Sequence, residues 1–422
     1  MLARLRTTLA RRHNLRAHFW QTLANYFQQG VGLVMSVALA RLLTPIDFGQ
    51  YAYVVAIFEI MLVCIPGASG MGQILIGDGG RTPQLFDTVR IMIYRFLILE
   101  FLGGLSLSIF FFWIKHSQES VLLLSLTVIH CVNRPPGVYR CRLEASGNFK
   151  PIFLFGVCSS LFSAGVSVLL AFFGAGVFSL VAVNAAGALT GWIIFFRPAE
   201  KSYLCSRLKS SETLHFLRTS LWTWLVSVTS VLQNRADRIV IGSELSDKEL
   251  GYYNRGLNFS PMAYLLLNSF LSNAATSSYA RAHSESQRLR LLAKTCMLVF
   301  SISTLNFILW HYFADPLVPF IFGNQWVGAI PVFEALASLS ICYGLRDIPS
   351  TFLLGKKKYR FFGLLNVISA TLFLGGVFLL KGKLSIVLVA YILQASMALP
   401  GFLVLAAIAG RFVTDYLSKK TM

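Results

Sequence analysis

Charge is scarce in this sequence. Only 13% of its 422 residues are charged, about half the share of a soluble domain. Acids are the scarcer sign, 18 against 37 lysines and arginines. With 55% of the chain hydrophobic and a mean hydropathy of +0.65, a single soluble core could not hide the apolar surface. Other shortages narrow the chemistry. The sequence has no CxxC pair and no HExxH, so no metal site and no cofactor are expected. Its seven cysteines are scattered and read as free thiols. It has no GxxxxGK[ST] phosphate cradle, which excludes a Walker-type ATPase. Its outer connections are too short to carry catalytic machinery, so no enzyme activity is expected.

What the chain does have is long apolar runs. FGQYAYVVAIFEIMLVCIP and FFGLLNVISATLFLGGVFLL are examples, and about 20 such residues cross a bilayer as a helix. Twelve spans are expected, near 20–40, 46–66, 90–113, 120–143, 151–173, 176–196, 216–243, 251–278, 291–312, 327–349, 361–380 and 384–410. The runs lack the alternation of barrel strands, so the fold class is an all-α integral membrane protein. The tryptophans, from Trp20 to Trp326, fall near span ends, where aromatic belts sit.

The net charge of +19 is topological before it is anything else. With the N-terminus inside, inner segments hold 28 basic residues and outer segments eight. That asymmetry places both termini in the cytoplasm. Attraction to anionic membrane lipid comes second, and no nucleic-acid partner is expected. Residues 1–18 are basic and amphipathic, and are expected to lie along the membrane surface.

One short phrase occurs twice, 202 positions apart: LLTPIDFGQY (42–51) and ELSDKELGYY (244–253). Each reads as a helix start. Thr44 and Ser246 are N-caps, Asp47 and Glu249 sit three residues on, and a capping box is expected at both. Phe19-Trp20 precedes the first copy and Leu221-Trp222 the second, at the same offset. PPGVYRCRLEASGNF and DIPSTFLLGKKKYRF give a looser echo. The chain therefore divides into an amphipathic segment 1–18, a six-helix bundle 19–197, a linker 198–213, a second six-helix bundle 214–410 and a tail 411–422. Six spans per half make the repeats parallel, an arrangement typical of transporters.

The residues also carry a family likeness. ALARLLTPIDFGQYAYV, NRADRIVIGSELSDKELGYYNRG and FGNQWVGAIPVFEALA (Phe322–Ala337) resemble segments of bacterial polysaccharide exporters, the O-antigen and exopolysaccharide flippases. That family belongs to the multidrug/oligosaccharidyl-lipid/polysaccharide exporter superfamily. The resemblance implies two V-shaped bundles around a central cavity, in the bacterial inner membrane. It implies translocation of an undecaprenyl-diphosphate-linked glycan by alternating access, with a polysaccharide polymerase and glycosyltransferases as partners. The alternatives are ion-coupled multidrug efflux within the same superfamily, or a membrane-embedded polymerase or glycosyltransferase.

Charges within spans are costly, roughly 2.5–3.5 kcal/mol at a helix centre, and usually mark a pathway or a partner. Arg235 and Arg238 share a helix face with Asp237 close by. They either grip a diphosphate, or Asp237 neutralises one while the other reaches outward. Arg95 with Glu59 and Glu100 is either a gripping arginine with proton-binding, ion-coupling acids, or an interhelical ion pair. Arg41 ends the first span, where it guides the diphosphate or anchors the helix. Gln21, Asn25 and Gln28 form a polar stripe on the first span, and Asn254 and Asn258 lie on the eighth. They would meet sugar hydroxyls or glue helices together.

Overall fold

The computed structural model describes residues 23–65, 83–114, 116–195, 210–281, 284–355, 359–380 and 382–420. The expected surface segment 1–18, Gln21 and most of the expected linker lie outside them. Among the described residues there is helix and no strand. The order is α1 (23–42), α2 (Pro45–Cys64), α3 (Pro83–Trp113), α4 (Ser117–Ala145), α5 (Lys150–Phe172), α6 (Phe178–Phe195) and α7 (Ser210–Glu244). There follow α8 (Asp247–Phe259), α9 (Met262–Arg281), α10 (Glu285–Phe322), α11 (Ile330–Ala335), α12 (Leu339–Gly355), α13 (Tyr359–Leu379) and α14 (Ile386–Lys420). Short 3₁₀ turns at Asn324–Ala329 and Leu336–Ser338 flank α11. Among the described residues eight segments are long and apolar enough to cross a membrane, and Gly363–Leu379 is a shorter apolar helix. The chain is a multi-pass membrane protein.

Both copies of the repeated phrase start a helix as expected. Thr44 N donates to Asp47 Oδ2 at 2.9 Å and Asp47 N donates back to Thr44 Oγ1 at 3.3 Å. In the second copy Ser246 N donates to Glu249 Oε2 and Glu249 N to Ser246 Oγ, each at 3.2 Å. These reciprocal bonds satisfy orphan amides of the first turn. They let α1 turn into α2, and α7 into α8, across two residues each.

The chain forms two compact units, Met1–Val231 and Leu232–Met422. Lipid is as apolar as leucine, so helices here associate by close packing and hydrogen bonds. In the first unit α5 and α6 meet through small residues. Ser163 donates to Val183 O at 3.0 Å and Ser167 to Ser179 O at 2.7 Å. Gly187 faces Ser159, and Gly191 faces Phe155. Across α3 and α4, Gly104 lies so close to Thr127 that a Cβ would overlap it, and Ser108 and Ser120 exchange hydrogen bonds. Val54, Phe58, Leu122, Leu126 and Val181 fill the space between α2, α4 and α6.

Prolines inside helices free the carbonyl four residues back. Pro136 frees that of Val132, and Trp192 Nε1 donates to it at 2.6 Å. In the second unit Pro349 frees the Leu345 carbonyl, which lies against Gly401 of α14. Two tryptophans placed at span ends by the sequence are core residues: Trp326 is fully buried against Phe322 and Tyr252, and Trp310 packs on Phe333. Their rings fill the gap where the tenth expected span breaks into 3₁₀ turns.

Candidate functional site

Four of the expected residues come together at the α7–α8 junction. Asp237 is 1% exposed. Its Oδ2 accepts the Tyr253 hydroxyl at 2.9 Å, and its Oδ1 accepts the Arg238 amide at 2.9 Å and lies 3.5 Å from Arg238 Nη1. Arg238 donates through Nε to Asn254 Oδ1 at 3.2 Å and through Nη1 to the Asn234 carbonyl. Asn258 Nδ2 donates to Asn254 O at 2.7 Å. Asp237 therefore pairs with Arg238, and the charge is spent on holding α8 against α7. Arg235 is half-buried one turn earlier. A two-residue turn folds α8 back on α7 and brings Tyr253 and Asn254, each 16 residues on, beside Asp237 and Arg238.

Glu100 of α3 is 1% exposed. Its partners are on α4: Arg134 donates through Nη2 to Oε1 at 2.5 Å and through Nε to Oε2 at 3.2 Å, and His130 Nε2 lies 3.1 Å from Oε2. Phe58 stands edge-on to the His130 ring at 5.5 Å. The sequence groups this acid with Arg95 and Glu59, whereas its partners are Arg134 and His130 of the next helix. The available signal was the i, i+4 spacing of His130 and Arg134, which points two donors at one neighbour.

The remaining expected residues are dispersed. Arg95 is exposed on α3, on the same side as exposed Ile98, Leu99 and Leu102. Arg41 is exposed at the end of α1, and Glu59 is half-buried on α2. Asn25 and Gln28 are exposed on α1, with the Gln28 amide closely packed against Gly156 of α5.

The second unit holds charged residues that sequence reasoning left to topology. Arg255 is 3% exposed, its guanidinium 5.3 Å from the Trp326 ring and 5.6 Å from that of Phe259. In α12, Arg346 and Asp347 form a pair joined by Tyr264 and Asn268 of α9. Among the described residues no group of His, Cys, Asp and Glu side chains is placed to hold a metal.

Apolar helices in this order, joined by capped hairpins, share the fold of MOP-superfamily structures. The structure of the lipid II flippase MurJ in its inward closed conformation superposes with a TM-score of 0.71 at 13% identity, over 92% of this chain and 87% of that one. An inward-facing multidrug resistance MATE family transporter of the MOP superfamily gives 0.69, also at 13% identity, over 94% and 96%. Identity that low establishes the fold alone. A family model described as polysaccharide biosynthesis protein matches residues 38–331, and the chain belongs to that family. The succinoglycan biosynthesis transport protein ExoT of Rhizobium meliloti is 23% identical over 79% of this chain and 67% of its own length. The teichuronic acid biosynthesis protein TuaB of Bacillus subtilis is 23% identical over 57% of this chain, which spans half of that relative.

Proposed function

We propose that the chain is a flippase that moves an undecaprenyl-diphosphate-linked oligosaccharide across the bacterial inner membrane for surface polysaccharide biosynthesis. Twelve spans in two parallel six-helix repeats, with both termini cytoplasmic, would alternate access to a cavity between the bundles. The physical need is clear: a polar dianionic headgroup cannot enter hydrocarbon without a hydrated or charged path. The observation that carries the proposal is one chain joining two likenesses, to a succinoglycan transport protein and to the fold of a lipid II flippase. Arg235, Arg95 and Arg41 are the candidates for the headgroup, and Arg238, held by Asp237 and Asn254, positions the α7–α8 hairpin beside Arg235. Gln21, Asn25, Gln28, Asn254 and Asn258 are those for the sugars, and Glu59, Glu100 and Asp237 for a coupling ion. Partners in this reading are the lipid-linked glycan, membrane lipid, a polymerase and glycosyltransferases.

The test is deletion of the gene in its own host. Loss of surface polysaccharide with accumulation of lipid-linked repeat units on the inner leaflet is the expected result. Normal polysaccharide with no accumulated intermediate would overturn it. The MATE fold equally suits ion-coupled drug efflux, and that reading gains if deletion raises drug susceptibility and leaves polysaccharide intact. In proteoliposomes, glycolipid flux that ignores imposed proton and sodium gradients would remove the ion-coupling role of the acids.

A further inference from the structure

The embedded arginines are used in different ways. Arg134 is consumed by Glu100, which it meets through two nitrogens. Arg238 is consumed by Asn254, the Asn234 carbonyl and Asp237. Arg255 is enclosed by aromatic rings. Arg346 differs from all three. Its Nε donates to Asp347 Oδ1 at 2.8 Å, and the other carboxylate oxygen of Asp347 accepts Tyr264 Oη at 2.8 Å and Asn268 Nδ2 at 3.3 Å. Asp347 is thus held by three donors from α9 and α12. It engages the side of the guanidinium and leaves the end. Nη1 has only the Met397 thioether, 3.8 Å away, a weak acceptor. Nη2 has no acceptor among the described residues. The guanidinium carbon lies 5.0 Å from the centre of the Tyr343 ring, and 23% of the side chain is exposed.

We propose that Arg346 is a phosphate-binding residue, taking two oxygens of a diphosphate on its open Nη1–Nη2 end. That this diphosphate belongs to a lipid headgroup rests on the flippase reading above. The arrangement suits an oxyanion of that shape. Tyr343 and Asp347 fix the guanidinium plane, so little side-chain freedom is lost on binding. The pair is formally neutral, so charge alone cannot hold an anion there. Binding must come from the forked geometry that phosphate matches and a spherical halide does not. Lysine in place of Arg346 would keep the charge and lose the fork. Asparagine in place of Asp347 would remove the opposing charge and keep one acceptor.

The experiment uses the full chain in phosphatidylcholine nanodiscs, with radiolabelled farnesyl diphosphate and inorganic diphosphate as probes. Saturable binding of farnesyl diphosphate by the natural protein is expected. Arg346→Gln and Arg346→Lys should weaken it roughly tenfold to a hundredfold, the weight of one or two charge-assisted hydrogen bonds. Asp347→Asn should tighten it. A purely structural pair would weaken in both directions, so weaker binding in Asp347→Asn overturns the proposal. So does unchanged binding in Arg346→Lys, which keeps a cation over Tyr343 and carries the test if Arg346→Gln does not fold. Absence of binding by the natural protein overturns it as well. Inorganic diphosphate binding as tightly as the farnesyl probe, and equally dependent on Arg346, would keep the anion site and overturn the lipid assignment. Normal polysaccharide in a deletion strain, with Arg346-dependent binding intact, would remove the flippase reading alone.

Discussion

Removing the Glu100 carboxylate separates two roles that its chemistry allows, a proton carrier and a strut between α3 and α4. The acid is 1% exposed and Arg134 reaches it through two nitrogens. Truncation to alanine leaves a cation facing an apolar interface. Breaking a buried ion pair by removing one partner costs about 3–5 kcal/mol. Here Arg134 and His130 retain 26% and 24% exposure, so water shares the load, and about 2–3 kcal/mol is expected for Glu100→Ala and likewise for Glu100→Leu, which strands the same cation. Replacing both partners, as Glu100→Leu with Arg134→Leu, should return stability to within about 1 kcal/mol of the natural protein, because neither charge is then stranded. The assay is equilibrium unfolding of the four members of this double-mutant cycle in mixed micelles, paired with surface polysaccharide in cells. Single substitutions that each cost under about 0.5 kcal/mol and simply add would refute the buried-pair argument. A stable double variant that still exports shows a strut. A stable double variant that exports nothing shows an acid used in transport.

Four further outcomes follow from the packing, the caps and the charge network. Gly401→Ala should lower stability by at least about 1–3 kcal/mol in thermal melts, because its Cβ would overlap the carbonyl that Pro349 frees. Gly30→Ala, with nothing within 4 Å of the new methyl, should melt no lower than the natural protein. Thr44→Ala and Ser246→Ala should each cost about 1 kcal/mol in equilibrium unfolding, with near-additive loss in the double variant. Arg238→Glu should reduce folded protein in membranes by stranding Asp237 and Asn254, whereas Arg235→Glu should spare abundance and lower exported polysaccharide; equal effects of the two on abundance would contradict this division.

Membrane class, helical character, the position of apolar segments and both capped hairpins are legible in the residues alone. These depend on neighbours within a few residues: run length, hydropathy, and a hydroxyl three residues before an acid. The Asp237–Arg238 pair was legible for the same reason, being adjacent in sequence, whereas Asn254 joins it from 16 residues away once α8 folds back on α7. Tertiary structure alone decided which charge meets which. Glu100 finds Arg134 34 residues away, Asp347 finds Tyr264 83 residues away, and Trp326 becomes core rather than belt. Those pairings depend on the register with which helices pack, and register is set by where glycine and serine permit close approach and where proline frees a carbonyl. A one-dimensional pattern records that a charge is buried; only the packed bundle records how much of its hydrogen-bonding capacity remains unspent.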